Sequence, residues 1–421
     1  MQLVEKHVIK KGQKFFEEID ALSFASKNLY NAANYIIRQN YIFGWGYLNY
    51  NKMHELLKTH STYKALPRKV SQQILIVLDR NWKSFFKALQ EYKVSSSAFK
   101  APPQMPLYKD KTKGRNLLVY TIQAISKPGL KDGRVKLSGT NINLTTQVSD
   151  RVCQVRIVPK CDCYVIEVIY NESESTTPIP SDSVAAIDLG LNNLATLTSN
   201  QKEFTPLLIN GRPLKSINQF FNKRKAALQS MLNTNRKTSD RIARLTRKRN
   251  QKIDNYLHHT SRLIVAILTK KQIGTLVIGK NNLWKHQINL GKRNNQNFVT
   301  VPYSRFIQML TYKCQLVGIM VVVTEESYTS KSSFLSLDPI PTYGQETDSP
   351  TFSGQRISRG LYRTSGNRLI NSDVNGSYNI LRKAIPNAFA DGIGSCVVQP
   401  RRISPLKVKA KGESEMVPKA M

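Results

Sequence analysis

The stretch Ala185-Ala186-Ile187-Asp188-Leu189-Gly190-Leu191-Asn192-Asn193-Leu194-Ala195-Thr196 constrains this chain more than any other. A short apolar run ends in a single aspartate. Glycine and asparagine then allow a tight turn, and a second apolar run follows. Strand, turn and strand in that order put a carboxylate at the end of a buried strand, where it can bind a hard cation. A second aspartate, Asp373, stands in Asn371-Ser372-Asp373-Val374-Asn375-Gly376-Ser377-Tyr378-Asn379-Ile380 and opens a helix. A lone aspartate in either place is often only a turn residue or an N-cap. Two of them in a chain of formal net charge +35 point to metal-dependent chemistry on nucleic acid.

The charge comes from 63 Lys and Arg against 28 Asp and Glu. Such a surplus repels a second copy of the chain and favours polyanions, which release counterions as they bind. A bilayer is excluded as a solvent, because Leu263-Ile264-Val265-Ala266-Ile267-Leu268 is far too short to span one. The first residues include Glu5 and Lys6 and lack the apolar core of a secretory signal. The five cysteines, Cys153, Cys161, Cys163, Cys314 and Cys396, form no CxxC pair, as in a reducing cytoplasm. Cys161 and Cys163 share a strand face, but no second pair completes a tetrahedral zinc set.

The organisation expected is multidomain α+β. Residues 1–15 and 96–180 carry strand signals and are expected to form a small β-barrel-like module, or a sheet. Residues 16–95 are a helical module, with Leu22, Ala25, Leu29, Ala32, Ala33 and Ile36 recurring at threes and fours. Tyr30, Tyr35, Tyr41, Tyr47 and Tyr50 either pack between helices or stack on bases. Residues 181–390 run as three strands, then helix–strand–helix–strand–helix, the order of an RNase H-type α/β sheet. Within them, 212–272 is a basic helical insert; from Arg212 to Lys252 there are thirteen Lys or Arg and one acid, Asp240. Lys237, Arg241, Arg244, Lys248 and Lys252 are spaced to share one helical face, which predicts nucleic-acid contact. A second helix is expected from Asn255 to Lys271. Residues 327–370 form a long loop, and 391–421 a basic, poorly ordered tail.

The chain resembles the TnpB (OrfB) family, transposon-encoded proteins related to type V CRISPR effectors. Asp-Leu-Gly-Leu-Asn-Asn-Leu-Ala-Thr from Asp188 and the motif around Asp373 look like that family's first and last RuvC motifs. Arg212–Gln219 and Leu245–Asn250 are similar to its basic insert, and Tyr328-Thr329-Ser330-Lys331 to its segment before a zinc loop. The likeness covers most of 181–390. It implies an RNA-guided DNA endonuclease with a RuvC nuclease domain. The implied partners are a guide RNA from its own transposon end and double-stranded target DNA, and the implied location is a prokaryotic cytoplasm, on the nucleoid while DNA is bound. Two Mg²⁺ ions are implied, one activating water and one stabilising the leaving oxygen.

Two departures from the pattern matter. Many members carry a glutamate at the end of the strand matching Thr275–Ile278; here the residue is Gly279. Glu325 and Glu326 end the next strand, about 4.8 Å away if the strands are neighbours. Residues on a strand alternate faces, so one of the two is expected to reach Asp188. The expected catalytic set is Asp188, Glu325, Glu326 and Asp373, with Asp188, Glu326 and Asp373 on metal. The family's cysteine pairs are also missing: the interval from Ser327 to Asp373 has none, and Ser332 and Ser333 stand where it begins. No structural zinc is expected, and the loop is expected to pack through Phe334, Tyr343, Phe352 and Tyr362. The competing expectations are a nuclease-inactive RNA-guided DNA-binding repressor and a transposase accessory protein. The sequence leaves oligomeric state open.

Overall fold

The computed structural model describes residues 1–174, 177–233, 236–281, 296, 298–344, 350–394 and 396–406. The chain divides into two compact units, Met1–Ser173 and Glu174–Met421. Among the described residues no helix is long and apolar enough to cross a membrane.

The first unit contains β1 (Gln2–Lys10), α1 (Phe16–Ile42), α2 (Tyr50–Leu57), α3 (Ser61–Lys64), α4 (Arg68–Val94), β2 (Leu118–Thr121), α5 (Lys127–Lys131), β3 (Arg134–Lys136), β4 (Asn143–Thr145), β5 (Val152–Lys160) and β6 (Cys163–Asn171). Its main sheet has the order β1-β6-β5-β2, all antiparallel, and β3 pairs with β4 separately. The main sheet is an open row with two edges, not a closed barrel. Leu29, Ala33 and Ile37 of α1 and Ile74, Leu78 and Trp82 of α4 belong to the same core as Tyr120, Val155, Ile157, Ile166 and Val168 of the strands. Helices and sheet therefore bury their apolar faces against each other. Trp82 donates to the Asn34 side chain at 2.9 Å, so the buried indole N–H is satisfied.

The second unit contains β7 (Val184–Asp188), β8 (Asn193–Ser199), β9 (Leu207–Asn210), α6 (Arg212–Gln229), α7 (Asp240–Lys270), β10 (Thr275–Gly279), α8 (Tyr303–Gln315), β11 (Met320–Thr324), β12 (Gln355–Ser358), β13 (Leu361–Arg363), β14 (Leu369–Asn371), α9 (Ser372–Ala384) and β15 (Arg401–Ile403). Its mixed six-stranded sheet has the order β11-β10-β7-β8-β9-β15. Strands β7, β10 and β11 run parallel, β8 is antiparallel to both neighbours, and β15 is parallel to β9. Central strand β7 is covered on both faces. Ala185 and Ile187 join one core with Leu276, Ile278 and Phe306, whereas Val184 and Ala186 join another with Val277, Ile380 and Leu381. That two-residue alternation reads as a continuous apolar run in sequence, as expected of a strand buried on both sides.

Four further expectations need correction. The span 327–370, expected as a long loop, contains β12, β13 and the start of β14, which pair as an antiparallel three-stranded sheet. The helix expected from 255 is the second half of one continuous 31-residue helix, α7. The Ser239 side chain accepts from Ile242 N and caps that helix, so Lys237 lies before it and off its face. The tail is also partly ordered: Arg401–Ile403 adds an edge strand with Arg401 opposite Leu207, backbone pairing that side-chain composition does not reveal. Residues 407–421 lie outside the described residues.

Candidate active site

The site lies where parallel strands β7, β10 and β11 end. Asp188 is the last residue of β7. It is half-buried, and the charges of Glu326 and Asp373 bear on it. Burial first, then those two charges, push its carboxyl well above the ordinary range, against the pull of Arg356 from β12. Asp373 is in the first turn of α9, where Asn371 caps the helix by accepting from Asp373 N and Val374 N. The Asn193 side chain donates to Asp373 Oδ2 at 2.7 Å. Helix α9 is held across the strands by Ser377, whose hydroxyl donates to Ala186 O at 3.1 Å and to Thr196 O at 3.0 Å. Gly376 lets the helix come close: a β-carbon there would stand 3.1 Å from Asp188 Oδ2.

The two consecutive glutamates part company. Residues Gly279 and Thr324 are partners in the β10–β11 ladder. A β-carbon built on Gly279 would stand 2.5 Å from Glu326 Oε2 and 2.5 Å from Ile380 Cδ1. The Glu326 carboxylate thus occupies the space a side chain at 279 would need. Its backbone N–H donates to Asn281 Oδ1 at 2.9 Å. Burial, then the Glu325 charge, push the Glu326 carboxyl up to about 7, although Lys383 pulls the other way. Glu325 is not brought to this cluster. It is ion-paired with Lys383 and accepts from Ser327 N. Burial works to raise its carboxyl, but the hydrogen bonds from Lys383 and Ser327 outweigh burial and hold it below the usual range. Lys383 also donates to Ser327 O, Ser327 Oγ and Pro341 O, which fixes it between α9 and the loop.

Asp188, Glu326 and Asp373 offer only hard oxygen donors. Among the described residues none of the three has an ion-pair partner. Nor do any three His, Cys, Asp or Glu side chains there stand close enough together to hold an ion unaided. Water and substrate oxygens would have to complete any shell, the usual situation for Mg²⁺. Burial first and the neighbouring charges second raise Asp188; a bound cation would relieve the second of these, and three carboxylates are the hard oxygen donors that a divalent metal takes.

The loop after β11 is held by polar contacts. Asn375 accepts from Phe334 N at 2.9 Å and donates to Ser332 O at 2.8 Å, and Asn379 donates to Thr329 O and Ser332 O. Asp338 accepts from Ser333 N, Ser353 N and Ser353 Oγ, the last at 2.6 Å. Phe334 is buried and stacks on Tyr378, with ring centroids 4.4 Å apart. Tyr362 is buried and donates to Lys331 O, and Phe352 lies against Tyr328. Tyr343 does not pack; it is 78% exposed.

Arg241, Arg244, Lys248 and Lys252 are exposed on α7. Steps of three, four and four residues keep them within one side of the helix. Five site contributors were not singled out from sequence: Asn193, Asn281, Arg356 and the loop-binding pair Asn375 and Asn379. The Asn-rich composition of the two motifs was the available signal for Asn193, Asn375 and Asn379. Arg356 gave none, because β12 lies far from Asp188 in sequence.

Comparison with known proteins follows the same lines. Residues 165–285 match the OrfB_IS605 family model, described as a probable transposase. Residues 303–380 match the TNB domain of Cas12f1-like proteins. A TnpB-like protein, ORF457 of Acidianus two-tailed virus, is 24% identical over 432 residues, spanning 92% of this chain and 88% of that protein. A Cas12f1 chain in a cryo-EM structure of a Cas12f1–sgRNA–target DNA complex aligns over 87% of this chain and 82% of its own. The TM-score is 0.53 at 14% identity, a likeness of fold. In architecture this is a mixed α/β multidomain protein similar to Cas12 effectors. In sequence it is similar to the TnpB (OrfB) family, as its two aspartate motifs implied.

Proposed function

We propose that the protein is an RNA-guided DNA endonuclease of transposon origin, cutting at one RuvC-type, RNase H-like site in the second unit. The observation that supports this reading is that the charges of Glu326 and Asp373 both bear on Asp188 at the end of the parallel strands, with Glu326 filling the space beside Gly279. A nuclease-inactive repressor needs the basic surface but has no use for that arrangement. Asp188, Glu326 and Asp373 would hold two Mg²⁺ ions, which when bound supply Lewis-acid stabilisation and an activated water for phosphodiester hydrolysis. The residues of the chain prepare the site. Asn193 orients Asp373, Asn281 fixes the backbone of Glu326, and Lys383 keeps Glu325 turned away. Glu325 is therefore a structural residue in this reading.

Arg241, Arg244, Lys248 and Lys252 would contact nucleic-acid backbone, while guide pairing reads sequence. The partners are a guide RNA and double-stranded target DNA, as in the complex formed by the similar Cas12f1. The expected setting is the cytoplasm. Asp338, Asn375 and Asn379 supply the cross-links of a loop that needs no zinc. The decisive experiment offers the protein, purified with co-expressed RNA, a plasmid library with Mg²⁺ beside an Asp188→Ala control. Guide-dependent cuts that vanish in the control support the reading. Guide-dependent binding without cuts favours the repressor.

A further inference from the structure

One exposed aromatic surface in the first unit, which shares only Tyr35 with the tyrosines named in the sequence, has no part in the site described above. Helix α1 ends at Ile42, and the next residues turn sharply: Gly44 and Gly46 have φ of 74° and 90°. The turn is fixed by Phe43 N donating to Gln39 O and Trp45 N donating to Asn40 O. It presents Phe43 and Trp45, 60% and 71% exposed, as a stacked pair with ring centroids 5.2 Å apart and planes 30° apart. A Trp and a Phe that exposed normally mark a contact surface.

The pair continues along the helix. Tyr35, Arg38 and Ile42 follow at steps of three and four, so they form one stripe. Tyr35 and Ile42 are exposed. The segment carrying Tyr108 is tied beside this stripe, because Asn34 and Arg38 both donate to Pro106 O, and Asn31 exchanges two hydrogen bonds with the Lys109 backbone. The Arg38 guanidinium lies 5.1 Å from the Tyr108 ring centre. From Tyr35 to Phe43 the stripe is about 12 Å long, the reach of about three stacked nucleotides at roughly 3.4 Å each. No Asp or Glu occurs in sequence between Asp20 and Glu55, and the whole chain carries +35. A second copy of so basic a chain is a poor occupant for this strip; an unpaired polyanion with aromatic faces is a good one.

We infer that the Tyr35–Trp45 strip is a stacking track for an unpaired nucleic-acid strand, engaged through base faces on Phe43 and Trp45, with Arg38 beside the phosphates. Every base has a π-face, so the track is blind to sequence and to sugar. This inference rests on the nucleic-acid part of the proposed function and is independent of cleavage.

The test is fluorescence anisotropy of labelled dT10 and rU10 with the full-length protein freed of bound RNA. Loss of stacking costs roughly 5- to 150-fold per base. The Phe43→Ala/Trp45→Ala double variant should lose about 10- to 100-fold for both oligonucleotides, and Phe43→Tyr/Trp45→Phe should stay within about threefold of the parent. Neutral rings release no counterions, so the salt slope of the double variant should match the parent. By contrast, Arg241, Arg244, Lys248 and Lys252 all changed to Gln should flatten it by about 3. Both rings are solvent-exposed, so an unchanged melting temperature should accompany the loss. Unchanged oligonucleotide affinity in the double alanine variant, with the slope still flattened in the α7 variant, overturns the track and leaves the proposed function standing. Failure of the parent to bind either oligonucleotide overturns both. Normal oligonucleotide binding with lost adsorption to anionic phosphatidylserine vesicles would assign the aromatic tip to a membrane and overturn the track.

Discussion

The Glu326→Gln variant offers a sharp test of the carboxylate cluster, because it should weaken activity and strengthen the fold. In the metal-free protein the Glu326 carboxyl is raised from 4.5 to about 7. Below pH 4.5 both folded and unfolded chains hold the proton, and the group costs nothing. Between 4.5 and 7 the unfolded chain releases it while the folded chain keeps it, so stability falls as pH rises. Above 7 the full cost is present. The difference corresponds to about 3 kcal/mol, and partial solvent contact reduces it to about 2 kcal/mol. Removing the Glu326 charge also eases Asp188, which acts in the same direction. At pH 8 with chelator present, Glu326→Gln should therefore unfold about 4–8 °C above the parent. At pH 5 the gap should shrink to about 1–2 °C. Adding Mg²⁺ should stabilise the parent more than the variant, by binding linkage. Guide-dependent cleavage should fall about a hundredfold or more. Scanning calorimetry across pH 5–8 with and without Mg²⁺ reads all of this except cleavage. Equal melting temperatures for parent and variant at every pH would refute the reasoning, since Glu326 would then be neither enclosed nor repelled.

Three further outcomes follow from the same geometry. Gly279→Ala should destabilise the protein by about 1–3 kcal/mol in urea melts and slow cleavage, because its β-carbon would meet Glu326 Oε2 and Ile380 Cδ1 at 2.5 Å; a variant as active and stable as the parent would contradict the packing. Glu325→Gln should keep cleavage by the folded fraction within about threefold while lowering stability by about 1 kcal/mol, measured by parallel melts and plasmid cutting; cleavage lost as fully as in Asp188→Ala would return Glu325 to the site. Asp338→Ala leaves Ser333 N and Ser353 N without their acceptor, which should cost about 1–3 kcal/mol and speed amide exchange in the loop; unchanged exchange at both serines would show that Asp338 does not hold it.

Much of the second unit was legible in the sequence because its signals are local. A run such as Val184–Ile187 is apolar on both faces and ends in a charge, so it reads as a buried strand with a carboxylate at its tip. Asn371 announces a helix start, because an Asn side chain caps the N–H groups that open α9. The helical face of Arg241, Arg244, Lys248 and Lys252 follows from periodicity alone, but its extension to Lys237 failed where Ser239 capped the helix. Pairing of a three-residue strand such as β15 with β9 left no such mark.

The sequence by itself determined which acids were available and that one strand end lacked a side chain. It could not assign Glu325 and Glu326 their separate fates, since adjacent residues of the same type carry the same local information. The tertiary structure decided that. Lys383, 58 residues beyond Glu325, draws Glu325 away. The absence of a side chain at Gly279, one strand over, gives the Glu326 carboxylate its place near Asp188. Charge neutralisation and excluded volume act through space, and only the fold sets which distant residues share that space.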